Sequence, residues 1–175
     1  MEPFKYVKEL NNLLRKDGVF LVATENNMQP YKHNVMTIGW GFLGTIWSMP
    51  VCIVAVRHSR HTFKLLGESP TWTVCLPGKG MENALEFCGS KSGRDVDKFK
   101  ELKLTAKKGF AVQAPYIEEC PVHYECETVF KTDMKPGQLK ESIENEMYKS
   151  KDMHMLYFGQ LKGCYEVEEA KKKLA

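Results

Sequence analysis

The fold of this chain depends on residues 34–50, NVMTIGWGFLGTIWSMP, which carry two tryptophans and three glycines in a strand-like segment. Tryptophan needs its large apolar ring covered and its N–H bonded to an acceptor. Glycine inside a strand marks a bulge, or a place where a ligand or another backbone approaches closely. Together these residues indicate exposed backbone amides beside a flat apolar surface, which would suit a planar ligand with polar edges. They would equally suit a bent barrel strand whose tryptophan rings lie in the core.

Length and composition limit the classes of protein to be considered. A chain of 175 residues corresponds to one domain, here residues 1–175, and can bury a core without disulfides. The net charge is only +3, and acidic and basic residues are interleaved, which argues against a nucleic-acid-binding surface. No run approaches the roughly 18 apolar residues of a membrane span. The first ten residues, MEPFKYVKEL, lack the apolar centre of a signal peptide. We therefore expect a cytoplasmic protein.

Hydrophobic periodicity predicts many strands separated by short helices. Apolar residues at three- and four-residue spacing predict a helix over residues 2–15 that ends at Gly18. Polar residues predict a turn at 25–27 and a bend at Gly44. Residues 135–152 are predicted to form a surface helix or loop, with Ile143 and Met147 as the plausible anchors. The remaining predicted helices lie within 57–67 and 81–88, and a polar loop at 90–95 leads into residues 96–99. The predicted strands are 18–24, 34–41, 51–56, 71–76, 110–113, 121–131 and 154–167. This order predicts an α+β domain built on an antiparallel barrel.

Two segments carry donors that could bind an anion. The first, RHSRHT at residues 57–62, follows the most apolar strand and opens a helix, whose first amides are free to bind a phosphate. Its two arginines add planar forks of donors. The second, SKSGRD at residues 90–95, could form a concave nest of amides near its glycine. Alternatively, both segments could be solvated surface, with Ser59 acting only as a helix cap.

The cysteines and histidines do not form a recognisable catalytic or metal motif. The chain has six cysteines but no Cys-x-x-Cys pair, so we expect most of them to be reduced and buried. Residues 120–126, CPVHYEC, suggest a metal site, but in an extended strand His123 points away from the face that carries both cysteines. His123 could instead face a cofactor pocket, or be a core histidine satisfied by a carbonyl. There is no hydrolase elbow, P-loop or HExxH motif, so no catalytic residue and no metal ligand is predicted.

Taken in order, several short segments resemble the flavin reductase-like, FMN-binding split-barrel family, and most closely its flavoredoxin branch. The resemblance covers about residues 15–130. The matching segments are NVMTIGWG (34–41), RxxRxTF (57–63), TVCLP (73–77), CG (88–89), SGRDxxKF (92–99) and ECPVHxEC (119–126). One segment departs from the family: residues 47–50 read WSMP, where many members carry an aspartate before the proline.

The resemblance implies a Greek-key, antiparallel split β-barrel with short peripheral helices, forming a homodimer that holds FMN near the subunit interface. By position, the residues expected to line the flavin ring are Asn34, Thr37, Gly39, Trp40 and Gly41. Those expected to hold the phosphate and ribityl chain are Arg57, Ser59, Arg60 and Thr62, with Ser92 and Arg94 nearby. The implied activity passes electrons from NAD(P)H to flavin. Two alternatives remain open: a flavoredoxin-type protein that receives electrons from a protein partner without oxidising a nicotinamide, and a non-enzymatic β-barrel binding module.

Overall fold

The computed structural model describes residues 2–25 and 32–175, which form nine strands and six helices. The strands are β1 (Val19–Thr24), β2 (His33–Ile38), β3 (Gly41–Ile46), β4 (Met49–Arg57), β5 (Thr71–Leu76), β6 (Ala106–Lys107), β7 (Tyr116–Ile117), β8 (Val122–Asp133) and β9 (His154–Glu166). The helices are α1 (Val7–Lys16), α2 (His61–Glu68), α3 (Glu82–Ser90), α4 (Lys98–Glu101), α5 (Glu141–Met147) and α6 (Ala170–Lys173). Apart from Glu25, the turn predicted at 25–27 lies outside the described residues.

The connection between β2 and β3 makes the main sheet curl into a barrel. Seven strands form one antiparallel sheet in the order β2-β1-β5-β8-β9-β4-β3, so that consecutive strands of the chain lie at its two edges. Only Gly39 and Trp40 join them, a link that spans about 11 Å at most. The two edges must therefore lie close together. The amide of Ala55 in β4 donates to the carbonyl of Trp40 at 3.1 Å, which fixes this link to the sheet. The predicted α+β class with an antiparallel barrel is confirmed.

Strand β1 shows how the core is divided, because all of its residues are buried. Val19, Leu21 and Ala23 point into the barrel interior with Trp72 and Tyr124. The alternate residues of β1, including Phe20, point into a second apolar cluster, to which α3 contributes. A strand covered on both faces reads as a continuous apolar run, and for this reason the sequence predicts residues 18–24 as a strand so readily.

Several predicted boundaries are wrong. Gly44 does not form a bend but lies within β3, paired with Val51. The hairpin turn is formed instead by Trp47 and Ser48, at φ 54° and 57°, although two left-handed residues in a turn are usually Asn or Gly. The strand predicted at 34–41 ends at Ile38, where the chain crosses between the sheet edges.

The prediction for residues 110–113 also fails, because these residues form a loop flanked by the short strands β6 and β7. The amides of Phe110, Ala111 and Val112 donate to the carboxylate of Glu125 at 2.6–3.1 Å. The buried carboxylate of Glu125 therefore accepts the hydrogen bonds that these amides would otherwise donate to a neighbouring strand.

The predicted surface helix is α5, but its predicted anchors are wrong. Ile143 and Met147 are 47% and 41% exposed. The buried residue is Tyr148, which directly follows the helix. Most of the six cysteines were predicted to be reduced and buried, and in the structure all six are buried and carry free thiols.

Candidate functional site

Two adjoining cavities lie where β2 and β4 end and where α2 begins. The larger, of about 420 Å³, and the smaller, of about 260 Å³, share the side chains of Met36, Arg57 and Arg60 in their walls. Among the predicted site residues, the larger cavity is lined by Asn34, Arg57, Ser59, Arg60, Thr62, Ser92 and Arg94. The smaller is lined by Thr37, Gly39, Trp40, Arg57 and Arg60. The two arginine-bearing loops and the Gly39–Trp40 link thus meet in one region.

Main-chain carbonyls orient the three arginines. Arg57 donates from Nη1 to the carbonyl of Asp152 at 2.6 Å. Arg60 donates from Nη1 to the carbonyl of Gly89 at 2.9 Å, and Arg94 from Nη1 to the carbonyl of Ser59 at 3.1 Å. Unlike a carboxylate, a carbonyl carries no net charge, so these contacts fix the guanidinium groups without neutralising them. Their positive charge remains available to an anionic ligand.

Ser59 already holds an anionic group. Its backbone N–H and its hydroxyl donate to the two carboxylate oxygens of Asp152, at 3.2 Å and 2.6 Å. Asp152 also orients Arg57, through its main-chain carbonyl. The loop between β4 and α2 therefore offers two donors aimed at one anion, in addition to the guanidinium groups around it.

Close packing joins the two loops. Asn34 donates from Nδ2 to Thr62 Oγ1 at 2.8 Å, and both side chains are buried. The loop at 90–95 approaches so closely that a Cβ at Gly93 would clash with Asn34 Oδ1 and lie 3.0 Å from His61 Cδ2. Nδ1 of His61 is buried and has no hydrogen-bond partner among the described residues. Burial, followed by the charge of Arg94, lowers the pKa of His61, so its ring is neutral.

Trp40 stands at the mouth of the smaller cavity and is 37% exposed, so it is not sealed in the core. Its ring packs on His154 with centroids 4.5 Å apart and planes inclined by 34°. The hydroxyl of Tyr148 lies 2.8 Å from Nδ1 of His154. Burial, with the charge of Arg57 as the next cause, lowers the pKa of His154 to about 4. His154 is therefore a neutral imidazole in the cavity wall at pH 7.

The other predicted residues occupy mixed positions. Thr37 donates from Oγ1 to the carbonyl of Leu85 at 2.5 Å and so ties β2 to α3. Ser92 Oγ accepts from the amide of Arg94 at 3.2 Å. Gly41 lines neither cavity, because it faces β4, where an added Cβ would lie 2.6 Å from the carbonyl of Ile53. The close approach of the two strands accounts for a glycine at this position.

Several residues of the cavity walls were not predicted as site residues, among them Lys98, Asp152 and His154. Lys98 is buried, and its ammonium donates to the carbonyls of Val35 and Cys88 at 2.9 and 2.8 Å. Burial lowers the pKa of Lys98 from its usual value. Its membership in the SGRDxxKF segment was the available signal. Asp152 and His154 lie beyond residue 130, outside the region of resemblance.

His123 belongs to the protein interior and is absent from the walls of both cavities. Its Nε2 lies 3.2 Å from the buried carboxylate of Glu125, and its ring stacks on Tyr116 with centroids 3.9 Å apart. Burial alone would raise the pKa of Glu125, but the hydrogen bonds from His123 and from backbone amides outweigh it and lower that pKa. Of the open alternatives, the structure supports a core histidine, satisfied by a carboxylate instead of a carbonyl. No cluster of potential metal ligands occurs within the described residues.

The sequence matches one family model and two other proteins. The family described as "Flavin reductase like domain" matches residues 15–175. An uncharacterised protein of Archaeoglobus fulgidus is 33% identical over 98 residues, which are 56% of this chain and 55% of that protein. Escherichia coli YddH is 27% identical over 114 residues, 65% of this chain and 60% of that protein. The matched part thus spans little more than half the length of these relatives.

Solved structures share the fold at low sequence identity. Flavoredoxin of Desulfovibrio vulgaris (Miyazaki F) superposes with a TM-score of 0.67 at 21% identity, over 90% of this chain and 74% of that one. Flavoredoxin from Methanosarcina acetivorans gives 0.67 at 24% identity, with the same coverage. An FMN-binding protein from Thermus thermophilus gives 0.65 at 22% identity, over 90% and 76% of the two chains. Among the residues that the structure describes, no helix is long and apolar enough to cross a membrane.

Proposed function

The chain belongs to the flavin reductase-like family, and on this basis we propose that it is an FMN-binding flavoprotein that passes electrons from a reduced nicotinamide to flavin. The observation that carries the proposal is the convergence of Arg57, Arg60 and Arg94 on a cavity that adjoins the Trp40 ring. FMN consists of a dianionic phosphate on a flexible chain and a flat tricyclic ring. A cationic cavity beside an aromatic one supplies a complementary surface for both parts.

The donors of the larger cavity fit a phosphate. Ser59 presents its amide and hydroxyl to a carboxylate, so the same two donors can meet two oxygens of another anion. Together the two cavities are in the size range of small-molecule sites, about 300–1,000 Å³. In this proposal Arg57, Arg60 and Ser59 hold the phosphate. Thr62 would hold the ribityl chain, with Ser92 and Arg94 close by. Thr37, Gly39 and Trp40 would line the ring in the smaller cavity, and Asn34 would approach it from the larger one.

His154 would add a fixed hydrogen-bond donor to the ring-binding cavity. The hydroxyl of Tyr148 contacts both Nδ1 of His154 and the sulfur of Met134, at 2.8 and 3.1 Å. We propose that the hydroxyl donates to Nδ1, because a ring nitrogen is a much better acceptor than a thioether. In the neutral imidazole the proton then resides on Nε2, which can donate to a ligand in the cavity.

Bound FMN would supply the chemistry of hydride acceptance, and the protein would supply position and charge. Arg57 and Arg60 lie in the walls of both cavities, so their charge would act on the ring as well as on the phosphate. Positive charge next to a reduced flavin stabilises its anionic form. Hydride transfer needs no protein acid or base, only two rings held in contact. The exposed edge of Trp40 leaves the smaller cavity open to a second ring.

A second copy of the chain is part of the proposal. Paired residues of antiparallel strands share a face, and a row of Phe42, Ile53, Phe158 and Phe130 runs across β3, β4, β9 and β8. Since Cys52, the neighbour of Ile53, faces the barrel interior, the row faces outward.

The turn residue Trp47 is 55% exposed and packs on Phe130 and Phe158, with ring centroids 6.3 and 6.2 Å apart. Further along the same face of β4 come Ala55 and Arg57, which line the smaller cavity. A partner that covered the apolar row would therefore also enclose the open side of that cavity, so we propose a homodimer. A Phe130→Glu variant should be monomeric in light scattering, whereas the wild type should be dimeric; a monomeric wild type would contradict this part of the proposal.

An absorbance spectrum tests the cofactor, and a mixing experiment tests the activity. The purified protein should show flavin bands or acquire them with FMN. Anaerobic mixing with NADH or NADPH should bleach those bands within seconds. A protein that binds FMN but is bleached by neither nicotinamide would act as a flavoredoxin-type carrier, and a protein that binds no flavin at micromolar concentration would contradict the proposal. Because the proposed reaction draws on the cellular nicotinamide pool, we also propose a cytoplasmic location.

A further inference from the structure

One segment of the chain occupies the anion donors of the larger cavity. Residues 147–152 supply the carbonyls of Met147 and Asp152 to the guanidinium of Arg57, at 3.0 and 2.6 Å. The carboxylate of Asp152 accepts hydrogen bonds from both the backbone N–H and the hydroxyl of Ser59. In the proposed function these same groups bind the ligand's phosphate. A phosphate and the Asp152 carboxylate cannot use them at the same time.

Few apolar contacts hold this segment and the preceding helix α5 against the barrel. None of the residues of α5 is buried, and Ile143 and Met147 are largely exposed. Its apolar anchors are Tyr148 and, at its end, Met153, both of which are buried. Asp152 itself is only half-buried, so its carboxylate can turn toward solvent without exposing the core. The cost of displacing it is therefore mainly that of its two hydrogen bonds.

We propose that Asp152 is an internal competitor for the ligand's phosphate, and that it sets the affinity of this site for phosphorylated flavins. The inference rests on the proposed function. Binding exchanges a monoanionic carboxylate for a dianionic phosphate at Ser59. The flavin ring and the ribityl chain are not involved in this exchange. Asp152 therefore lowers the affinity for FMN and leaves the affinity for unphosphorylated riboflavin unchanged.

The sign of the effect separates competition from a supporting role. If Asp152 only positioned Ser59 for the ligand, its removal would weaken FMN binding. As a competitor, its removal strengthens binding. The amide introduced by Asp152→Asn keeps the shape of the carboxylate and can still accept a hydrogen bond from Ser59, but a neutral acceptor is bound less strongly than a charged one. Loss of one negative charge a few ångströms from the phosphate corresponds to about tenfold tighter binding of FMN.

The test measures flavin affinity by quenching of flavin fluorescence in the wild type, in Asp152→Asn and in the control Asp133→Asn. Asp133 pairs with His58 at 2.7 Å, so the control removes the same charge beside the same loop without touching Ser59. Asp152→Asn should bind FMN about tenfold more tightly than the wild type, and riboflavin equally well. Asp133→Asn should change FMN affinity by much less. In the double variant Ser59→Ala/Asp152→Asn most of the gain should disappear.

Unchanged or weaker FMN binding by Asp152→Asn would overturn the inference while leaving the proposed function in place. An equal gain for riboflavin would also overturn it, because riboflavin has no phosphate. If the wild type bound neither flavin, the proposed function would fail instead. Inorganic phosphate would then decide the inference: it should raise the melting temperature of Asp152→Asn more than that of the wild type or Asp133→Asn, and equal shifts would refute competition.

Discussion

Replacing His154 by asparagine should make the stability of this protein less sensitive to acid. His154 is 7% exposed, stacks on Trp40, and lies among Arg57, Arg60, His58 and Asp152. Asparagine does not titrate, and its amide oxygen can take the place of Nδ1 as the acceptor for the hydroxyl of Tyr148. The substitution therefore removes one titrating group and can keep its buried hydrogen bond.

The sign and size follow from the pKa of His154, which is about 4 in the folded protein and 6.5 for an unperturbed histidine. A lowered folded-state pKa means that the unfolded chain binds more protons between these values. The contribution of neutral His154 to the free energy of unfolding is therefore fully present above pH 6.5 and is lost as the pH falls toward 4. Between pH 7 and pH 5 the proton linkage corresponds to a loss of about 2 kcal/mol in the free energy of unfolding.

Urea unfolding of wild type and His154→Asn at pH 7 and pH 5 measures this difference, with both proteins prepared free of flavin. His33 and His61, whose pKa values burial also lowers, are present in both proteins, so their contributions cancel. The wild type should lose about 2 kcal/mol more than the variant on acidification. Equal losses would show that His154 is protonated as readily in the folded state as in the unfolded chain.

Three further substitutions test the site and its support. Arg60→Ala should weaken FMN binding by about 1.5–3 kcal/mol, the scale of a charged hydrogen bond, whereas Arg15→Ala on the exposed face of α1 should not; fluorescence titration compares them. Gly93→Ala should destabilise the fold by about 1–3 kcal/mol through overpacking, whereas Gly67→Ala, which has open space around it, should stabilise α2 by about 0.5–1 kcal/mol. Glu125→Gln should cost about 1.5–3 kcal/mol in urea unfolding, because it replaces a carboxylate that accepts from three amides.

Each of these has an outcome that would contradict it. Equal FMN affinity in Arg60→Ala and Arg15→Ala would place the phosphate elsewhere. A Gly93→Ala variant as stable as the wild type would mean that Asn34 can move away without cost, so that the two loops are not tightly packed together. A Glu125→Gln protein as stable as the wild type would show that the 110–112 loop does not depend on this carboxylate.

Apolar runs predict the long strands, and the resemblance to the flavin reductase-like family implies that the two arginine-bearing loops meet. The run at 51–56 is apolar throughout because its residues are buried on both faces of the sheet. What could not be predicted depends on partners distant in the chain. The loop at 110–112 is fixed by Glu125, and nothing in its own composition indicates a side-chain acceptor.

The same reason explains the residues that were missed at the site. Lys98 reads as a surface lysine in a charged segment, but its acceptors are the carbonyls of Val35 and Cys88, which only tertiary packing brings together. Asp152 ends the segment 135–152, which has few apolar residues and was predicted to be surface. His154 opens the strand predicted at 154–167, but nothing in the local sequence indicates that its ring packs on Trp40. Tyr148, the one strong anchor of the segment 135–152, is an isolated aromatic residue without periodic apolar neighbours, so neither its burial nor the docking of the segment could be predicted.

The distribution of charge around the larger cavity connects these observations. The barrel and its loops supply the cationic residues Arg57, Arg60 and Arg94, which carbonyls orient without neutralising. Both carboxylates in the wall of that cavity, Glu146 and Asp152, come from the segment at α5 and just after it. Apart from Lys149, the positive charge of this wall thus lies on the barrel and its loops, whereas the opposing charge lies on or just after a helix without a buried residue. Ligand affinity can therefore be altered through this segment without changing the arginines or the barrel that positions them.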